Sequence, residues 1–245
     1  MYSRADELLA HLKKFIRNEF NRMGLMGFDE LNVLNAQSTV NQLYTRLKDE
    51  NQKVFQDAAK NAEQFALILI ALMDKGYIGL NDVNTEEFER YLSGKRKPDT
   101  SKLASDGLIG TVAWLSGFLS QYNKTTGYLY ESEADRKRMR YTEEILTARE
   151  YSDRGQYNKA TEKSASLWYG QSEQYLMDTV DEATIETYKA NGVQKVKWMT
   201  EQDDRVCDIC KDMHGVVYPI DEVPEKPHRR CRCYLIPVSR VSEKT

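Results

Sequence analysis

Residues 193–238 read VQKVKWMTEQDDRVCDICKDMHGVVYPIDEVPEKPHRRCRCYLIPV, and all four cysteines of the 245-residue chain fall inside this stretch. Cys207 and Cys210 have the C-x-x-C spacing that lets two thiolates approach one ion from a tight turn. After an intervening loop, His228, Cys231 and Cys233 supply an H-x-x-C-x-C return set. A disulfide framework is more often spread along a small secreted chain, so the clustering favours a metal over bridges or ordinary buried thiols. A thioredoxin-like redox use of C-x-x-C is disfavoured, because no βαβ pattern surrounds it.

Five candidates then compete for four places. Zinc takes a closed tetrahedral shell of nitrogen and sulfur, with Zn–S near about 2.3 Å. If residues 231–237 form a strand, Cys231 and Cys233 point to one face but lie about 6.5 Å apart along it, so both ligate only if the strand begins with a bend. The turn containing Arg229 and Arg230 makes His228 and Cys231 the easier pair. The expected set is therefore Cys207, Cys210 and His228 plus one of Cys231 and Cys233. Such a shell has no open position, so a structural Zn2+ is expected and no catalytic residue. An HNH-type nuclease would need paired histidines in a ββα setting, and the remaining His11 and His214 read as surface or packing residues. Lys226, His228, Arg229, Arg230 and Arg232 crowd the flank of the site. They read either as a phosphate-contacting patch of a nucleic-acid-binding module or, more plainly, as charge balance for the thiolates.

Outward from the cysteines, Val193 to Thr200 alternates as a strand does, and Val216 to Tyr218 and Cys231 to Val238 read as two more. A two- or three-stranded antiparallel sheet is marginal in water alone, so it needs a helix or a staple. Upstream the period is helical. A first helix near 3–23, capped at Ser3, breaks around Gly24 and Gly27. A longer one from near Asp29 carries Val40, Leu43, Leu47, Val54, Ala58, Phe65, Leu69 and Leu72 at spacings of three, four and seven, and ends near Lys75-Gly76. A short helix is predicted near 85–92, another over Leu103 to Tyr122, and two between Glu131 and Asn191, split near Asp153-Arg154-Gly155 and closed by Gly192. The fold class is mainly α with a small C-terminal α+β module. The domains are a helical interaction or assembly domain at 1–127 and a second at 128–245, with the zinc-binding module at 193–238.

Formal net charge is −3, so the molecule as a whole offers no general attraction to nucleic acid or anionic lipid. The charged N-terminus does not read as a secretory signal, and the longest apolar run, Phe65 to Met73, is too short to span a bilayer. Cytosolic synthesis is expected.

Residues 192–238 read as a whole resemble the C-terminal signature of phage Mu F-like head-morphogenesis proteins, the minor head proteins of tailed phages and prophages. Trp198, Thr200, Asp203, Arg205, Cys207 and Cys210 follow that family's order and spacing, and His228, Cys231, Arg232 and Cys233 close the pattern. Arg229 departs from it, standing where the family usually has proline. The resemblance implies a structural, low-copy virion protein assembled in the host cytoplasm. It would act in procapsid assembly near the portal protein, with the scaffold or major capsid protein as further partners, and stay in the capsid interior with packaged DNA. It implies no enzyme. Within the site, Thr200 is expected to cap the turn toward Asp203, Asp203 or Asp204 to pair with Arg205 or Arg232, and Trp198 to lie in the core.

Overall fold

In the computed structural model the described residues are 2–25, 33–80, 83–93, 95, 99–101, 103, 144, 154–201, 204–228 and 231–241. The elements are α1 (Tyr2–Leu25), α2 (Val33–Asp74), α3 (Thr85–Leu92), α4 (Arg154–Ala190), β1 (Val193–Met199), α5 (Asp208–Met213), β2 (Val217–Pro219), a 3-10 turn at Ile220–Glu222, and β3 (Tyr234–Arg240). The protein is mostly helical, with a C-terminal three-stranded antiparallel sheet beside the cysteine–histidine cluster. No helix among the described residues is long and apolar enough to cross a membrane.

The chain divides into two compact units, one of Met1–Tyr2, Ala58–Trp114 and Met177–Thr245, the other of Ser3–Asp57 and Leu115–Leu176. In the second unit Leu12, Ile16 and Phe20 of α1 and Leu43, Leu47 and Phe55 of α2 are buried, as their helical spacing requires. Arg46 holds Glu19 at 2.7 Å and His11 holds Glu50 at 2.7 Å, ties between α1 and α2. Asn51 donates to Ser172 of α4 at 2.9 Å inside this core.

The first unit carries the site. Ala66, Leu69, Ile70 and Leu72 from the end of α2 pack with Tyr188 of α4, Val193 and Val196 of β1, and Ile236 and Val238 of β3. Gly76 stops α2 in the left-handed region, at φ 76°. Asn84 caps α3 by accepting the Glu87 N–H at 3.1 Å. Gly192 at φ 70° ends α4 and turns the chain into β1. The buried Tyr188 hydroxyl donates to the Leu235 carbonyl at 2.9 Å, and Arg240 meets Asp74 with two bonds of 2.8 and 2.6 Å, so β3 is fastened to α4 and α2.

The strand order is β2-β1-β3, with β1 central. Irregular register around Val193, Lys195 and Val196 breaks the simple alternation, leaving Gln194 and Lys195 exposed and Val196, Lys197 and Trp198 buried in succession. Lys197 is accommodated because its ammonium donates to the Gly79 carbonyl at 3.1 Å. Pro237 lies in β3 opposite Val196, and Pro219 ends β2 opposite Lys195.

Three expectations shift. Ser3 already belongs to α1 and does not stand before it as a cap. The last strand begins at Tyr234, not Cys231, and runs to Arg240. A short helix, α5, opens inside the C-x-x-C turn, where no helix was expected. The break at Gly27, the helix over Leu103 to Tyr122 and the one preceding α4 lie outside the described residues.

Candidate metal centre

The site is assembled from two turns that meet beside β1. In the first, Cys207 is the N-cap of α5, and its sulfur accepts the Cys210 N–H at 3.4 Å, as a capping side chain does at a helix start. The Lys211 N–H closes the same turn on the Cys207 carbonyl at 3.0 Å. This places Cys210 inward, 2% exposed, and leaves Cys207 half-buried at the rim.

In the second, residues 231–233 precede β3 and have no strand geometry, so the pleat does not separate the two cysteines. The sulfurs of Cys210, Cys231 and Cys233 all lie within 4.8 Å of one another, and all three residues are buried. Cys207, Cys210 and His228 form a second group of the same tightness, so Cys210 belongs to both. Cys210 Sγ is 3.5 Å from Cys231 Sγ and 3.3 Å from His228 Nε2, while His228 itself is exposed. None of the four cysteines forms a disulfide. For a tetrahedral ion with Zn–S about 2.3 Å, the sulfurs stand about 3.8 Å apart, so this donor set fits a divalent ion.

The thiols respond unequally to their settings. The Cys210 backbone N–H lowers the Cys207 thiol below its usual value. Burial pushes the Cys210 and Cys233 thiols up; the neighbouring cysteines add to the rise at Cys210, and Cys231 adds to it at Cys233. A raised thiol value favours the protonated form, so a cation bound by Cys210 and Cys233 would replace their protons and release them.

Trp198 backs the cluster, 2% exposed, with its ring edge-on to Tyr218 at 6.4 Å and 71°. It packs with Cys210, Cys231 and Cys233 in one buried group, to which Tyr218, Val223 and Leu235 add. Thr200 is turned to His214: its backbone N–H donates to His214 Nδ1 at 3.1 Å, and its hydroxyl lies at the same distance from that atom. A ring nitrogen that accepts a backbone N–H carries no proton, so the other ring nitrogen carries it. His214 thus ties the end of α5 to the end of β1. Arg205 and Arg232 line a cleft with Thr200, Cys207, His228 and Cys233. Lys226 is ion-paired with Asp181 of α4 at 2.8 Å. Asp203, Arg229 and Arg230 lie outside the described residues.

Residues 129–236 match the family described as Phage Mu protein F like protein. This segment of the chain is a Mu F-like domain. The match covers α4, β1, α5, β2 and the cysteine–histidine cluster, and stops within β3 at Ile236. It extends the resemblance seen at 192–238 upstream and leaves the first 128 residues unmatched. No curated protein and no solved structure matches the chain.

Proposed function

We propose that this chain is a structural minor head protein of a tailed phage or prophage, which takes part in procapsid assembly near the portal and stays inside the head. On this reading it acts by binding and not by catalysis, and the Mu F-like domain is the observation that carries it. The metal is zinc, and its role is to staple the end of the domain. Three buried cysteines with a fourth and a histidine at the rim form a set able to close the shell, as structural zinc sites do. The portal protein is the foremost partner, with scaffold or major capsid protein beside it, and the helices upstream of residue 129 supply contact surface.

The test is made on particles. Proheads and mature heads purified from producing cells should contain this protein at far fewer copies than the major capsid protein, cross-linkable to the portal. Disrupting the gene should lower the yield of filled heads. A protein absent from both particles and dispensable for their assembly would refute the proposal. DNA retention is read in the same preparation: the protein stays with the head after unbound cytoplasmic material is washed away.

A further inference from the structure

Cys210 belongs to both candidate ligand groups, so whatever takes its sulfur out of use dissolves both at once. Cys207 is placed to do this. It stands three residues before Cys210 as the N-cap of α5, and its sulfur is folded back over the turn, where it accepts the Cys210 N–H at 3.4 Å. The two sulfurs lie within 4.8 Å of each other. A disulfide needs about 2.05 Å between sulfurs, a closure that side-chain rotation within one turn can make. No βαβ pattern surrounds the pair, yet C-x-x-C at the opening of a helix is the local arrangement that a dithiol couple uses.

Access separates Cys207 from the other cysteines. It is half-buried at the rim, whereas Cys210, Cys231 and Cys233 are buried. Cys207 and Cys210 line one cleft with Arg205, His228 and Arg232, so a small oxidant entering there meets the rim sulfur with its neighbour behind it. The Cys231 sulfur is only 3.5 Å from that of Cys210, but Cys231 is not on the cleft wall among the described residues.

We propose that Cys207 and Cys210 form a redox couple, in which hydrogen peroxide closes a Cys207–Cys210 disulfide and thereby frees the metal ion. The Cys207 sulfur attacks one peroxide oxygen and the O–O bond breaks, leaving a sulfenic acid at Cys207 and, with the thiol proton, one water. The Cys210 sulfur then attacks the Cys207 sulfur. The S–S bond forms, the S–O bond breaks, and the departing hydroxide takes the Cys210 proton as a second water. Two thiols are oxidised and one peroxide is reduced; from the metal-bound form the two protons come from solvent. His228 is left without a cysteine of its group, and Cys231 and Cys233 remain as a pair. The crosslink is independent of the metal reading, whereas the release of an ion rests on it.

The experiment uses the full chain, reduced, with and without added Zn2+, then exposed to a stoichiometric amount of hydrogen peroxide. Peptide mapping without reduction should place one disulfide between Cys207 and Cys210, and dithiothreitol should reverse it. Zinc bound by the reduced protein should appear free in step with that bond, read by a colorimetric chelator, and return on reduction. C207S, compared without metal so that its affinity does not enter, should lose the crosslink and keep Cys210 as a thiol after the same exposure. The wild-type mapping stands even where C207S folds poorly. A bond mapped between Cys210 and Cys231, Cys207 carried on to sulfinic acid with Cys210 untouched, or thiols that stay reduced while free cysteine is oxidised would overturn the couple. Zinc that stays on the crosslinked protein would overturn the release. A reduced protein that holds no zinc ends the metal reading, and the couple is then decided by the mapping alone.

Discussion

The first unit is held by two cores that share a strand but not a chemistry. Val196 and Trp198 lie two residues apart on one face of β1, yet Val196 belongs to the apolar core and Trp198 to the sulfur core. The apolar core gathers α2, α4, β1 and β3, from residues far apart in the chain. The sulfur core comes from the single stretch between Trp198 and Cys233. Tyr218, Val223 and Leu235 pack against both. Burying a large aliphatic side chain contributes about 1.5–3 kcal/mol, so the first core is stable by its own composition. The second has few such side chains, and on the proposed reading a metal ion would hold its thiols together. Distance along the chain is thus bridged by apolar packing, while the sulfur core is built from one local stretch.

The largest effect is expected at Cys210, the residue common to both candidate ligand groups. C210S should lose the bound metal. Structural zinc contributes about 10–16 kcal/mol of binding energy in small zinc-finger peptides, so the stretch from Trp198 to Cys233 should become protease-sensitive while far-UV helix content stays. Limited proteolysis with elemental analysis reads both. The converse lesion is Leu69→Ala, at a fully buried position of α2. It should cost about 2–5 kcal/mol in denaturant unfolding. Metal stoichiometry should remain that of wild type; its loss would mean the two cores are not separable.

Tyr188 sharpens the boundary, since it lies in the apolar core and its hydroxyl reaches the carbonyl of Leu235, a residue of both. Y188F should lower stability by about 1 kcal/mol and leave zinc affinity unchanged. The smallest effect is expected at Glu63, 6% exposed on α2, whose carboxyl is raised above its ordinary value by burial. A raised folded-state value favours the protonated form, so the contribution of this group is present below the unfolded value of 4.5 and is lost as pH rises through the folded one. E63Q should therefore be the more stable protein near pH 7, with the advantage vanishing in acid. Paired thermal melts across that range check the sign.

Much of this was legible in the chain. The stripe from Leu43 to Leu72 gave α2 to within a few residues, because helix burial follows a single period over many turns. The Gly192 stop was readable as a C-cap, and the short helix near 85–92 was expected without its Asn84 cap. The cysteine and histidine candidates were visible from spacing alone, and they fall in two groups of three that share Cys210. What spacing did not disclose was geometry set by tertiary contact. Lys197 is buried because Gly79, far away in the chain, offers a carbonyl. Cys231 and Cys233 meet because β3 starts one residue after the pair, a boundary that local propensity does not mark. His214 carried no period and no motif, and its bond to Thr200 emerges only once α5 has folded back on β1.

The two prolines of the sheet bear on how this protein behaves among copies of itself. A proline in a paired strand sits where its missing N–H faces away from the neighbour, so Pro237 withholds a donor from the open side of β3. On the opposite margin, β2 is three residues long and ends in Pro219. Neither border offers a continuous row of hydrogen-bonding groups to an incoming strand. A chain built this way can be crowded to high local concentration and still keep its sheet to itself.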